Sequence, residues 1–139
     1  MNRFKTTLLS MAALAVIFSS CKKDDPKPDD QHVPPAEAVI TITSPSSGQQ
    51  FDHHATITIS GKIEAGEQLH GYKLIIRQKS NNAEKIIKEA HAHGKVLEFS
   101  ETWENDVEGH QDMELEVIGI LDHDGKIITK KVDFHCHGH

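Results

Sequence analysis

Six stretches of the chain alternate apolar and polar residues with a period of two, and no other feature limits the fold as much. "VITIT" (39–43) opens the series, and "ATITISGKI" (55–63) puts Ile57, Ile59 and Ile63 on one face, against Thr and Ser on the other. "YKLIIRQ" (72–78) groups Tyr72, Leu74 and Ile76, and "VLEFSETW" (96–103) groups Leu97, Phe99 and Trp103. "DMELEVIGIL" (112–121) aligns Met113, Leu115 and Val117 against Glu114 and Glu116, and "KIITKKVDF" (126–134) closes the series. Successive side chains of an extended chain point to opposite faces, so the pattern predicts strands that each bury one face.

Turn-forming residues fill the gaps: "SPSSG" (44–48), "EAGE" (64–67), "SNN" (80–82) and "ENDVEG" (104–109). "DHDG" (122–125) predicts a tight hairpin turn whose glycine supplies a positive φ. Strands at this spacing predict an all-β fold, an immunoglobulin-like β-sandwich of about seven antiparallel strands, over residues 38–139. The segment "NNAEKIIKEAHAHG" (81–94) admits two readings. It has an Asn cap, good helix formers and a terminal Gly94, as a helix of three turns would. Extended, it is a further strand whose lysines suit a sheet edge, and that reading keeps the antiparallel series unbroken.

Residues 1–20 have the organisation of an export leader: Arg3 and Lys5, the apolar run "LLSMAALAVIF", then the small residues Ser19 and Ser20. The apolar run falls short of the roughly 20 residues that a membrane span requires. Cys21 follows, and the arrangement resembles a bacterial lipoprotein signal cut immediately before the cysteine, with Phe18 where that family usually has Leu. The alternative is an ordinary signal peptide followed by an incidental Cys. The resemblance implies that Cys21 is acylated and holds the mature chain to a lipid bilayer. Residues 21–37 begin "KKDDPKPDDQHVPP" after the cysteine, too charged and Pro-rich to bury a core, which predicts a disordered tether. "CKKDD" also resembles the Lys-then-acidic signal that places Bacteroidota lipoproteins on the outer face of the outer membrane. Surface display is therefore expected ahead of the periplasmic leaflet.

Loss of Arg3 and Lys5 with the leader lowers 15 basic residues to 13, against 21 acidic ones, for a net charge of −8. No basic cluster is present to track phosphates, which argues against nucleic acid as a partner. With Cys21 acylated, Cys136 is the one remaining thiol, so the domain is held by its core and not by an intrachain disulfide.

Eleven histidines are present, and all but His32 fall near predicted strand ends. In an antiparallel sandwich, alternate connections lie at opposite ends. One pole then receives His70, His91, His93 and His123, with Asp122 and Asp124 beside them. The other receives His53, His54 and His110 together with the closing His135, His137 and His139. Neutral imidazoles bind zinc or copper when three or four converge, and the spacing of His91 and His93 projects both to one side of an extended chain. His91, His93 and His123 are therefore candidate metal ligands, with His70 as a fourth and Asp122 or Asp124 in support. The alternative is that these imidazoles are solvated loop residues.

The tail "VDFHCHGH" holds a second candidate set, His135, Cys136 and His137. If the strand runs on past Phe134, then Val132, Phe134 and Cys136 face one way, and Cys136 is a small, inert core residue. If the strand stops earlier, a thiolate with two imidazoles makes a soft site for copper or zinc.

The lipoprotein signal, the acidic tether, "ITSPSSG", "HAHG", "DMELEV", "LDHDG" and "FHCHGH" together resemble small Bacteroidota lipoproteins with an Ig-like domain, the domain of unknown function 4625 group. The resemblance spans residues 21–139 and implies an envelope lipoprotein with an Ig-like fold, without bringing an activity. Two functions stay open on the residues: a membrane-anchored protein that binds zinc or copper, and an interaction module that docks on another envelope protein without metal. Catalysis is not expected, because no nucleophile elbow, phosphate loop or H-E-x-x-H helix occurs.

Overall fold

A computed structural model describes residues 38–139. The expected leader, the expected acylation at Cys21 and the expected tether fall on residues 1–37, outside the described residues. Six strands follow in order: β1 (Val39–Ser44), β2 (Gln50–Phe51), β3 (Thr56–Gln78), β4 (Glu84–Glu104), β5 (Gln111–Ile120) and β6 (Ile127–Cys136). The runs expected at 55–63 and 72–78 are the two ends of a single 23-residue strand, β3. The extended reading of 81–94 and the run at 96–103 likewise join in the 21-residue β4.

These two long strands make the architecture. The first half of β3 pairs with β1 and with the second half of β4, whereas its second half pairs with the first half of β4 and with β5. The pairing continues through β6 to the short β2, which joins it in parallel. One hydrogen-bonded sheet thus curls into the two faces of an immunoglobulin-like sandwich. The corner lies where the register slips: residues 65–68 of β3 stand against the single Lys95 of β4, between the pairs Glu64–Val96 and Leu69–Gly94. Surplus residues on one strand of a pair bend it and increase its twist, which a strand serving both faces requires.

After a turn through Asn81 and Asn82, the rest of the segment 81–94 is extended, with β4 beginning at Glu84. Ala90 and Ala92 pack against the core while His91 and His93 are exposed, so a period of two holds over 90–93, after a register shift between Ile86 and Lys88. β3 is its one pairing partner, and Lys85 and Lys88 mark the open edge, where charge discourages further strand addition.

Between the faces lie the apolar residues that the alternation selected. Ile57, Ile59 and Ile63 of β3 meet Leu97, Phe99 and Trp103 of β4, Met113, Leu115 and Val117 of β5, and Phe134 and Cys136 of β6. The outward side chains of β5 are Glu114 and Glu116, and Arg77 bridges both as well as Glu84, while Lys131 reaches the same two carboxylates. Each such surface pair contributes little, but the two cations remove a repulsion between carboxylates on one sheet face.

Ile59 is fully buried. Ile59→Ala is expected to lower the unfolding free energy by about 2–5 kcal/mol through lost burial and an unfilled cavity. Urea unfolding of the two proteins measures the difference.

Candidate functional site

The β5–β6 hairpin positions the chain's end. Asp122 Oδ1 accepts the backbone N–H groups of Asp124 and Lys126, and Gly125 takes φ +91°, so the "DHDG" turn closes tightly. Leu121 N–H then bonds to the Lys126 carbonyl, and counting outward from that pair sets Asp112 opposite His135. On the other side of β6, β2 aligns Gln50 with His135 and Phe51 with Cys136. β6 runs through Cys136, whose side chain is fully buried beside Phe134. Parity then turns His135 and His137 to the opposite side.

There His135 and His137 meet His110, which ends the β4–β5 connection. Ring centroids lie 5.0 Å apart for His135–His137, 4.9 Å for His110–His137 and 6.0 Å for His110–His135. One ligand atom from each of the three lies within 4.8 Å of the others, and no other three such groups are gathered in this way among the described residues. Imidazoles bound to one tetrahedral zinc at about 2.0–2.1 Å place their ring centres roughly 5 Å apart, a spacing that these three rings approach.

The hydrogen bonds around the rings select their tautomers. A carboxylate only accepts, so His135 Nδ1 donates to Asp112 Oδ1 (2.9 Å), which leaves Nε2 with a lone pair. His137 Nε2 donates to Gln50 Oε1 (3.0 Å), which leaves Nδ1 free to accept from His110 Nδ1 (2.9 Å). The acceptors behind His135 and His137 are the usual support of a histidine ligand, fixing the ring and raising the basicity of the other nitrogen; among the described residues the His110 ring bonds only to His137.

The fully buried Asn105 anchors this end of the sandwich. Its Nδ2 donates to the carbonyls of Asp52 and His137, both at 2.9 Å. Its backbone N–H bonds to Ala55 O and its carbonyl accepts from His54 N–H. His137 N–H bonds to Phe51 O, and a Cβ at Gly138 would collide with the backbone of Gly109 and the Val107 carbonyl. The tail is thereby packed against both connections. His53, His54 and His139 gather beside it, with His53 and His54 centroids 3.9 Å apart and His53 and His139 5.6 Å apart.

At the opposite pole, His70, His93 and His123 come together: His70 lies 3.9 Å from His123 and 5.7 Å from His93, centroid to centroid. His91 stands opposite Gly71, exposed, and is not among these ring contacts. Asp122 is engaged by its own turn. Of the tail set, His135 and His137 converge while Cys136 points into the core. Burial pushes its thiol up to about 11, which keeps it protonated and unsuited to ligation at neutral pH. The sequence reading placed His110 at the correct pole without joining it to the tail pair, although the parity of "HCH" is the same signal as that of "HAH". Asp112 and Gln50 were missed as supporting residues; the hairpin count would have found the first.

No family model matches the chain, and no curated protein does. Among solved structures it is similar to the fibronectin(III)-like modules of Clostridium thermocellum CbhA, at 17% identity and a TM-score of 0.48, across 70% of this chain and 94% of that one. Residues 38–139 form an all-β module, an immunoglobulin-like β-sandwich made from one curled sheet.

The Cys136 thiol gives a test of the geometry. Between pH 9 and 11 the unfolded chain loses its thiol proton while the folded chain retains it, so stability falls as the pH rises through that window. The stability advantage of the wild type over Cys136→Ala is expected to shrink from about pH 8 to about pH 10.5, read by urea unfolding at each pH. An exposed, ligand-like thiol would leave it constant.

Proposed function

We propose that this chain is an envelope lipoprotein, held to the outer membrane through acylated Cys21, whose β-sandwich binds zinc or copper at His110, His135 and His137. The observation that carries the metal reading is the convergence of three ligand atoms within 4.8 Å from two separate parts of the chain. It is supported by the acceptors Asp112 and Gln50, which leave a lone pair on His135 Nε2 and turn that of His137 Nδ1 toward His110 Nδ1, whose hydrogen bond an ion would replace. An all-nitrogen set of this kind suits zinc or divalent copper. The leader, Cys21 and the charged tether support anchoring, and their likeness to Bacteroidota lipoproteins supports display on the outer face.

Three ligands leave a coordination position to water or to a group from another molecule. The role is binding rather than catalysis. The second reading is an interaction module that docks on an envelope partner without metal, and the fold favours it in a general way, since such sandwiches serve many unrelated tasks.

Titration of the purified full chain with zinc is expected to show uptake that falls by one equivalent in His135→Ala/His137→Ala and is retained in His91→Ala. Asp112→Asn should keep the stoichiometry while weakening affinity by about 10–100-fold. Uptake by the wild type no greater than that of the double variant removes the metal reading and leaves the interaction module.

A further inference from the structure

We infer that the opposite pole holds a second, separate metal site, formed by His70, His93 and His123, that takes a divalent d-block ion such as zinc. The three side chains come from three different parts of the fold: the corner of β3, the first half of β4 and the β5–β6 turn. Nothing in the strand core requires imidazoles there, yet the corner brings His93 and His123 each into ring contact with His70.

His70 carries the observation that points to a ligand. Its Nδ1 is buried and has no hydrogen-bond partner among the described residues. A buried polar nitrogen without a partner is costly and uncommon in a folded protein, and it marks a place where a further group belongs. A cation satisfies a bare imidazole nitrogen directly, and the exposed His93 and His123 provide the remaining donors.

The geometry is that of an open site. His70 and His93 are spaced at 5.7 Å and stand edge to face, close to the roughly 5 Å expected of two imidazoles on one zinc. The donor atoms of the three do not converge within 4.8 Å as those of the tail pole do, so side chains must turn to share the ion; His123, at 3.9 Å from His70, has to swing outward by about 1 Å. Its place on an exposed turn makes that rotation a side-chain movement alone, since Asp122 and Gly125 hold the turn's backbone. At the tail pole His135 and His137 are already hydrogen-bonded to supporting acceptors, so the second site is expected to be the weaker of the two.

The test uses the full chain and zinc alone. In a His110→Ala/His135→Ala/His137→Ala background, which removes the tail-pole site, one equivalent of zinc is expected to remain. Adding His93→Ala and His123→Ala, both at exposed positions, should abolish it, and circular dichroism should show the fold retained. His70→Gln, which can hydrogen-bond but not ligate in the same way, should weaken the remaining site by at least about tenfold. A background protein that takes up no zinc overturns the inference, as does one whose equivalent survives loss of His93 and His123. The equivalent lost between the wild type and the triple variant reports on the tail-pole reading, and the equivalent that remains reports on this one, so the two sites fail separately.

Discussion

Phe134 and Cys136 are drawn into the core, and the chemistry of the tail pole follows from that packing. In a strand with a period of two, burying those residues obliges His135 and His137 to face outward together. The same strand is held on one side by β5, which presents Asp112 to His135, and on the other by β2, which presents Gln50. A slip of one residue would exchange the two sets, putting imidazoles in the core and the thiol in solvent. The apolar core therefore fixes the histidine pair more firmly than any polar contact around it.

The third histidine depends on a different interaction. His110 belongs to the β4–β5 connection, and that connection is pinned by Asn105, whose amide ties the loop before β3 to the carbonyl of His137. One buried amide thus binds together the three segments that carry the imidazoles of this pole. Buried polar groups of this kind specify geometry because any rearrangement would leave them unsatisfied. Gly138 completes the arrangement by allowing the tail to lie against the backbone of Gly109.

Much of this fold was legible from alternation alone. The faces of β3, β4, β5 and β6 bury the residues that a period of two assigns to them, and the extended reading of 81–94 accounts for the inward Ala90 and Ala92. The histidines were legible as two polar groups, because alternate connections in an antiparallel sandwich must lie at opposite ends. Long-range geometry was not legible. The merging of the expected strands into β3 and β4 depends on bulges whose position follows from packing at the corner. The approach of His110 to His137, the exclusion of His91 from the other cluster and the role of Asn105 each rest on contacts between residues far apart in sequence. Tight turns are the exception, since the "DHDG" turn fixes the pairing of Asp112 with His135 by simple counting.

The most direct measurement is a long-range nitrogen–proton NMR spectrum of the imidazoles, recorded while zinc is added to the full chain. The expected result is that His135 engages the ion through Nε2 and His137 through Nδ1, with His110 shifting at the same step and Cys136 unaffected. Zinc that perturbs Cys136, or that leaves the nitrogens of His135 and His137 unchanged, would contradict a site built by the parity of β6.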